Sequence, residues 1–275
     1  MLISVNHVTR YAYEAEARYS VQTVRLTPQS FAGQRVLEWS IDAPGIETAS
    51  KFVDCFGNVA HQITIMKPHD EIAIAVTGKV ETEDRAGVVS GTIEVAPTRV
   101  YLRTTEQTAP DDAIRQLAKD AATADTAQIA QLHALMEAIA DRVDYEPGNT
   151  HAHTSAADAL AEGKGVCQDH AHIMIAAARL LDLPARYVNG YLVGEAAGGH
   201  AWAEVFVPGL GWVGFDPANR VCPTDTYVRV AVGLDAASAP PIRGTRRGGG
   251  KETLDVSVSA ESPGQSQSQS QSQSQ

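Results

Sequence analysis

The fold of this chain is decided by the stretch Gly163-Lys-Gly-Val-Cys-Gln-Asp-His-Ala-His-Ile-Met-Ile-Ala-Ala-Ala-Arg179. Its pattern predicts a helix that begins at Cys167 and buries the face on which that cysteine lies. A helix N-terminus carries unpaired N–H groups and about half a positive charge, and both favour a thiolate over a thiol. Cys167 is therefore a candidate nucleophile. The apolar residues that recur at helical spacing beyond it are Ala171, Met174, Ile175, Ala178 and Leu181.

A base and a carboxylate follow this helix along the chain. His200 begins an apolar alternating pattern within Gly198-Gly-His-Ala-Trp-Ala-Glu-Val205, and Asp216 ends a second one within Gly211-Trp-Val-Gly-Phe-Asp-Pro217. The glycine-rich turn between the two predicted strands permits a hairpin that places Asp216 beside His200. A carboxylate there would orient the imidazole and stabilise its charged form. Cys167, His200 and Asp216 thus make a complete set of nucleophile, base and orienting group.

The chain before residue 105 has the pattern of a β domain. Short stretches that alternate apolar and polar residues are separated by turns, as in Glu71-Ile-Ala-Ile-Ala-Val-Thr77. Between two such stretches, Gly57-Asn58 predicts a tight two-residue hairpin turn. We expect an antiparallel β-sandwich over residues 1–105.

The remainder of the chain divides into three parts. Residues 106–235 begin with alanine-rich helical segments and continue into the strands of the predicted hairpin, so the fold class is α+β. Residues 236–260 form a C-terminal segment in which Leu254-Asp-Val-Ser-Val258 is a possible strand returning to the N-terminal sheet. Residues 261–275 end in alternating Gln and Ser, which predicts a disordered tail.

Three motifs resemble those of the transglutaminase-like superfamily and stand in the same order. These motifs are Gly165-Val-Cys-Gln-Asp169, His200-Ala-Trp-Ala-Glu204 and Trp212-Val-Gly-Phe-Asp-Pro217, with Leu183-Pro-Ala-Arg-Tyr-Val-Asn-Gly-Tyr191 matching the strand between the first two. The N-terminal part resembles the β domain of the bacterial branch at His7-Val-Thr-Arg-Tyr-Ala-Tyr13, Arg25-Leu-Thr-Pro28, Asp54-Cys-Phe-Gly-Asn58 and Lys67-Pro-His69. The segment Arg243-Gly-Thr-Arg-Arg-Gly-Gly-Gly250 is similar to the C-terminal part of that branch. The likeness covers about residues 1–260.

The resemblance implies a papain-like catalytic core in which Cys167 is the nucleophile, His200 the base and Asp216 the orienting carboxylate. The superfamily forms an acyl-enzyme thioester at a carbonyl group and passes the acyl group to water or to an amine. Microbial members are often proposed to be proteases, so we expect a cysteine-dependent hydrolase that acts on a protein or peptide. Acyl transfer to an amine and a non-catalytic interaction module remain alternatives. We expect neither a cofactor nor a metal.

One position departs from the animal-type members, which use a Trp shortly upstream of the Cys to stabilise the oxyanion. This chain has no Trp between Trp39 and Trp202. The oxyanion donor beyond the Cys167 N–H therefore stays open, with Tyr145 and the amide region of Gln168 as candidates. Calcium ligands are not evident in the sequence either.

Several other residues have a plainer interpretation than catalysis. Cys55 lies in a strand pattern and is expected to be a packed thiol, while Cys222 precedes a proline in a loop and is expected to be a bystander. Trp202 and Glu204 could flank the cleft beside the histidine, although a Trp at strand spacing more often belongs to the core. Asp169 is expected to be a first-turn acid with a structural role.

Four further histidines are possible ligands or cleft residues. His170 and His172 could bind zinc together with the predicted catalytic Cys and His, since these are the usual zinc ligands. Only His170 shares a helix face with the cysteine, so packing is favoured over ligation for both residues. His151 and His153 could line the cleft, but a solvated loop is favoured.

The composition excludes several classes of protein. Lys and Arg number 22 against 33 Asp and Glu, and the formal charge of −11 argues against nucleic acid and anionic membrane surfaces as partners. No apolar run approaches the roughly 18 residues of a spanning helix. The N-terminus lacks the apolar core of a signal peptide, so we expect a cytoplasmic protein. The sequence predicts no oligomeric state.

Overall fold

The computed structural model describes residues 1–122, 127–195 and 199–262, and the backbone of 270–274. No helix in these ranges combines the length and the apolar character needed to cross a membrane. The α-helices are α1 (Asp112–Ala121), α2 (Gln128–Ala140), α3 (Ala156–Glu162) and α4 (Cys167–Leu180), and short 3-10 helices lie at Ile46–Thr48 and Thr98–Leu102. The strands are β1 (Leu2–Thr27), β2 (Gln34–Asp42), β3 (Ser50–Val53), β4 (Val59–Ile65), β5 (His69–Thr82), β6 (Val88–Val89), β7 (Asp144–Tyr145), β8 (Lys164–Gly165), β9 (Ala185–Leu192), β10 (His200–Val207), β11 (Gly211–Phe215), β12 (Tyr227–Gly233), β13 (Ile242–Gly248), β14 (Glu252–Glu261) and β15 (Ser270–Ser274).

The first sheet is organised around β1, which has 26 residues. The first half of β1 pairs with β5 and β14, and the second half pairs with β4 and β13. The register shifts between Ala12 and Ala17, where β1 bends as it changes partners. Because one strand runs through both halves, the N-terminal strands form a single curled sheet. The predicted β-sandwich, which needs two facing sheets, is therefore not confirmed.

The second sheet carries the residues of interest. Its strand order is β12-β9-β10-β11-β6, with antiparallel pairing throughout. Helix α4 packs across β9 and β10 and is buried from Asp169 to Arg179. Its apolar residues join those of α1, α2, α3 and the sheet in one core. Helices on one side of an antiparallel sheet make an α+β protein, as predicted.

Two segments cross between the two sheets. Strand β6 lies inside residues 1–105 but pairs with β11 at the edge of the second sheet. After β12, the chain returns to the first sheet, where β13 and β14 both pair with β1. The stretch predicted as a returning strand, Leu254–Val258, lies in β14. The two predicted parts of the chain are thus tied together at both ends.

The C-terminal tail is described only in part. Residues 263–269 and 275, which make up most of the predicted disordered tail, lie outside the described residues. Residues Ser270–Ser274, also assigned to that tail, instead form β15 against β14. Strand β14 pairs with β1 on its other side, so β15 covers an edge whose N–H and C=O groups would otherwise lack strand partners.

The hairpin between β3 and β4 differs from the predicted two-residue turn. The last pair of the ladder is Val53 with Val59, so residues 54–58 form the connection. Asp54 organises this loop, since its Oδ1 accepts hydrogen bonds from the N–H groups of Phe56 and Asn58 at 2.9 and 3.0 Å. These hydrogen bonds to the Asp54 side chain stabilise a loop of five residues in place of the predicted two-residue turn.

Candidate active site

Cys167 is the first residue of α4, as predicted. Two hydrogen bonds to Oδ2 of Asp169 fix this helix start: the Val166 N–H donates at 2.9 Å and the Thr150 hydroxyl at 2.7 Å. Because Asp169 reaches back to the residue before the helix, it holds the first turn closed. Burial raises the pKa of this carboxyl, while the two hydrogen bonds oppose that shift. The predicted structural role of Asp169 agrees with these contacts.

His200 and Asp216 meet at the end of the β10–β11 hairpin. Nε2 of His200 lies 2.6 Å from Oδ2 of Asp216, and both side chains are buried. The opposite ring nitrogen, Nδ1, faces a cluster that includes Cys167: the Sγ atom, a ring nitrogen of His200 and a carboxylate oxygen of Glu195 lie within 4.8 Å of one another. The structure therefore brings together all three residues that the sequence selected.

Three side-chain donors surround the Asp216 carboxylate. Besides His200, the Tyr227 hydroxyl and the Asn219 side-chain amide each donate to Oδ2 at 2.8 Å. Burial alone would raise the pKa of Asp216, but the contact with His200 and the two other hydrogen bonds keep it below its usual value. Asp216 is consequently held as a carboxylate, and Nε2–H of His200 donates to it.

The environment of His200 favours its charged form. Burial lowers the pKa of the ring, but contacts with Asp216, Cys167 and Glu195 outweigh it and raise the pKa well above the usual value. If the imidazole ring were neutral, the carboxylates of Asp216 and Glu195 would both contact it with no positive charge between them. The arrangement is suited to holding an imidazolium beside a thiolate.

Glu195 is a site residue that sequence reasoning missed. Its Oε2 lies 2.6 Å from Nδ1 of His200, which is an ion pair when the ring is protonated. Its Oε1 accepts a hydrogen bond from the Tyr145 hydroxyl at 3.2 Å. Glu195 stands five positions before His200 in a glycine-rich segment, where its carboxylate had been attributed no role. A titratable residue so close along the chain to a predicted base was the available signal.

The two candidate oxyanion donors lie in different settings. Tyr145 is half-exposed on β7, its ring is 6.3 Å from that of His170, and its hydroxyl already binds Glu195. Burial, together with the charges of Cys167 and Glu195, raises its pKa, so the hydroxyl stays a neutral donor. The side chain of Gln168 instead points to the carbonyl of Ala152 at 3.4 Å.

A packed aromatic group fixes the position of the His200 ring. Trp202 is buried and stacks on it with ring centroids 6.1 Å apart, and Tyr227 meets the Trp202 ring edge-on at 5.4 Å. Gly190 makes room for this indole, because a Cβ atom there would lie 2.0 Å from the carbonyl oxygen of Val228 and 2.8 Å from the Trp202 ring. Trp202 is thus a core residue that also supports the site.

Glu204 does not flank the cleft and instead forms ion pairs within the second sheet. Its fully buried carboxylate accepts from Arg186 at 2.6 Å and from Arg229 at 2.7 Å. Burial opposes the charge, but the two arginines lower the pKa of Glu204 to about 2. Arg186 also lies over the ring of Trp212 at 3.8 Å. This ion cluster ties β9, β10 and β12 together behind the site.

The predicted alternative of a zinc site with His170 and His172 is not supported by their contacts. The ring nitrogens of His170 lie 3.0 and 2.9 Å from the carbonyl oxygens of Val166 and Val143. His172 is fully buried, and its Nε2 accepts the N–H of Ala236 at 3.1 Å. Both histidines therefore pack into the fold, as the helix-face argument favours.

The other two cysteines differ from each other. Cys55 is exposed in the loop of residues 54–58, so the prediction of a packed thiol is wrong. The error has the same origin as that of the hairpin turn, because the strand ends before Cys55. Cys222 is partly buried against the core, and burial raises the pKa of its thiol to about 11.

A cleft of about 580 Å³ opens on the site. Cys167 and His200 line it together with His153, whereas His151 is exposed outside it. The first sheet contributes His7, whose ring nitrogens lie 2.9 Å from the hydroxyls of Tyr191 and Thr9. The lining also has polar and aromatic members, which are Gln168, Tyr187, Asn189, Tyr191 and Arg243. Its apolar part is mostly small: Leu26, Ala152, Val166, Ala201, Ala236, Ala237, Ala239, Pro240 and Pro241.

Fold and site together define an α+β protein in which a Cys–His–Asp cluster opens on a cleft. Residues 115–217 match the model of the transglutaminase-like superfamily, and residues 3–81 match that of the bacterial transglutaminase-like N-terminal region. An uncharacterized protein of Mycobacterium leprae (strain TN) is 33% identical over 272 residues, which is 92% of this chain and 96% of that protein. The chain belongs to the transglutaminase-like superfamily.

Two further likenesses are more distant. A proposed cysteine protease from Cytophaga hutchinsonii, known from its crystal structure, shares the fold with a TM-score of 0.77 at 23% identity, covering 97% of this chain and 92% of that one. The protein-glutamine gamma-glutamyltransferase of Pseudomonas aeruginosa (strain PAO1) is 34% identical over 131 residues. That match covers 40% of this chain and 19% of the longer protein.

Proposed function

We propose that this protein is a cysteine-dependent hydrolase of amide bonds in proteins or peptides. The observation that carries the proposal is the 2.6 Å contact between Nε2 of His200 and Oδ2 of Asp216, with the Cys167 Sγ within 4.8 Å of a ring nitrogen of the same histidine. This is the geometry of a base oriented by a carboxylate and presented to a thiol. Membership of a superfamily of cysteine-dependent enzymes supports it.

The reaction would proceed in two halves. The thiolate of Cys167 attacks the amide carbonyl carbon, and the resulting oxyanion accepts hydrogen bonds from N–H groups at the start of α4. The imidazolium of His200 donates its Nδ1 proton to the leaving nitrogen as the C–N bond breaks and a thioester remains. Water, losing a proton to His200, then attacks the thioester and regenerates the thiolate–imidazolium pair.

The substrate we propose is an extended peptide segment. The cleft is bordered by the second sheet, the start of α4 and residues of the first sheet, and its mainly apolar lining suits side chains of modest size. Nothing in the acidic composition favours nucleic acid or an anionic membrane as partner. A cytoplasmic location is part of the same proposal.

Trapping of the thioester tests the proposal. The protein is incubated with a peptide mixture, quenched in acid and weighed intact by mass spectrometry, and the cleaved peptides are sequenced. We expect an acyl adduct on Cys167 and new peptide termini, both lost in Cys167→Ala. Peptide cleavage that persists in Cys167→Ala would contradict the proposal.

Acyl transfer to an amine is a second candidate, because the Pseudomonas aeruginosa protein that matches the core is named a protein-glutamine gamma-glutamyltransferase. The same thioester would serve both reactions, and the acceptor alone differs. Adding a primary amine to the peptide assay separates them. Hydrolase activity predicts free acids as products at all amine concentrations, whereas transferase activity predicts amides that replace them.

A further inference from the structure

We propose that Cys167, Glu195 and His200 form a binding site for Zn²⁺ whose occupation switches the thiol off. One donor atom from each of these residues lies within 4.8 Å of the other two. Around a tetrahedral zinc ion with bonds of about 2.0–2.3 Å, neighbouring donor atoms stand about 3.4–3.6 Å apart. Small side-chain rotations therefore bring all three donors into coordination distance.

Two of the donor atoms lack a hydrogen bond within the described part of the chain. These atoms are Nδ1 of His200 and Oε2 of Glu195, which are buried and 2.6 Å apart. Each atom is the other's ion-pair contact, and a bound ion between them would satisfy both where no hydrogen bond does. Once Nδ1 loses its proton, both atoms present a lone pair to the same point, which matches what a cation requires.

The groups behind these donors resemble those that support metal ligands. A histidine that binds a metal usually gives its other ring nitrogen to a carboxylate, which fixes the ring and its tautomer. Here Asp216 binds Nε2 of His200 at 2.6 Å and leaves Nδ1 for the cluster. Glu195 is oriented in the same way, since the Tyr145 hydroxyl donates to its Oε1.

The donor set selects the metal. One thiolate, one imidazole and one carboxylate suit Zn²⁺ better than Ca²⁺ or Mg²⁺, which prefer oxygen ligands only. Three protein ligands leave a fourth tetrahedral position. Because Cys167 and His200 both line the cleft, a water molecule can reach that position.

Zinc binding would occupy the same two side chains, Cys167 and His200, that the proposed hydrolysis needs. Coordination requires the thiolate of Cys167 and a free Nδ1 on His200, so one proton leaves to solvent whether it starts on sulfur or on nitrogen. The Sγ lone pair then bonds to zinc and is withdrawn from attack on a carbonyl. This regulatory effect rests on the proposed function, whereas the binding site itself does not.

Cobalt substitution tests the site directly in the metal-free protein carrying Cys55→Ser, which removes the exposed thiol. Titration with Co²⁺ should saturate at one equivalent and give a thiolate-to-cobalt charge-transfer band, which Zn²⁺ then abolishes by displacement. X-ray absorption of the zinc complex should show one sulfur at about 2.3 Å with nitrogen or oxygen neighbours. A shell without sulfur, or a band retained in Cys167→Ser, would overturn the proposal.

Glu195→Gln provides the decisive variant, and Glu38→Gln, on exposed strand β2, is its control. Loss of a supporting residue around a metal costs about 10–100-fold in affinity, so loss of a ligand should cost at least tenfold. Glu38→Gln should bind zinc like the parent protein. Equal zinc affinity in Glu195→Gln, with near-ultraviolet circular dichroism showing an intact fold, would refute the role of Glu195.

Peptide hydrolysis separates this proposal from the proposed function. Zinc should inhibit the reaction with the same midpoint as the cobalt displacement, and a chelator should restore full activity. Unchanged hydrolysis at full metal occupancy would exclude the switch. A metal-free protein that binds one cobalt through sulfur but cleaves no peptide would retain the site and reject the hydrolase.

Discussion

His200 and Asp216 are diagonal neighbours on one face of a hairpin. The ladder between β10 and β11 pairs Ala203 with Phe215, so Trp202 comes opposite Asp216 one step further along. His200 lies two positions before Trp202 and shares its face, and a diagonal neighbour in a sheet is within reach of a long side chain. The 2.6 Å contact between Nε2 and Oδ2 is therefore set by the strand register.

Asp216→Asn should abolish most of the activity while leaving the fold intact. The amide cannot hold Nε2–H of His200 as a carboxylate does, and it cannot stabilise the imidazolium. In triads of this kind the same change costs about 10⁴-fold in kcat, so we expect a loss of at least 10³-fold in peptide hydrolysis. Asp112→Asn, fully exposed on α1, should match the parent. A loss below tenfold for Asp216→Asn would show that the carboxylate is not the orienting group.

The motifs located the central residues of the site but not their supports. Cys167, His200 and Asp216 are recognisable because each stands at the start or end of a patterned element. Tyr227 and Asn219 reach Asp216 only through the pairing of β12 with β9 and the turn after β11, and this geometry has no local signature. A pattern along the chain does not predict contacts between residues that are far apart in sequence.

The fold was predicted where periodicity alone decides it. Helix α4 begins at the predicted residue because its apolar spacing and its glycines agree. The alternating pattern in the N-terminal half correctly predicts strands. It does not predict which of these strands pair with each other. A strand of 26 residues that serves two sets of partners has the same local pattern as several short strands. The predicted sandwich is not confirmed for that reason.

Cys167 and Cys222 should react with an alkylating reagent at very different rates. In the Cys55→Ser background, iodoacetamide at pH 7.5 should label Cys167 at least about 100-fold faster than Cys222. Burial raises the pKa of Cys222 to about 11, so at this pH only roughly one molecule in three thousand carries the reactive thiolate. Peptide mapping by mass spectrometry measures both rates in one sample.

One variant and a pH series give this experiment its controls. His200→Ala should slow labelling of Cys167, because the cation that faces its sulfur is lost, and should leave Cys222 unchanged. Labelling of Cys222 should also rise about tenfold for each pH unit below its pKa. Equal rates for Cys167 and Cys222, or a rate at Cys167 indifferent to His200, would rule out an activated thiol.

Glu204→Gln should destabilise the protein strongly without touching the cleft. Removing the charge leaves Arg186 and Arg229 buried beside a neutral amide, and breaking a buried ion cluster in this way costs about 3–5 kcal/mol. Glu94→Gln is the matched control, because Glu94 also pairs with Arg186 at 3.0 Å but is 38% exposed. It should cost less than about 1 kcal/mol. Urea unfolding followed by tryptophan fluorescence measures both, and equal losses would contradict the argument.

Stability should fall as the pH drops from about 6.5 to 4, in part because of His172. Burial lowers the pKa of its ring to about 4 in the folded protein, against 6.5 for the ordinary value. Within that window the unfolded chain binds more protons, so the free energy of unfolding rises with pH and declines toward acid. Full protonation would cost up to about 3 kcal/mol, since it sets a second N–H against that of Ala236. His172→Gln should therefore flatten the pH dependence of urea midpoints by up to about 1.4 kcal/mol per pH unit. Parallel curves for parent and variant would show that His172 does not titrate in this range.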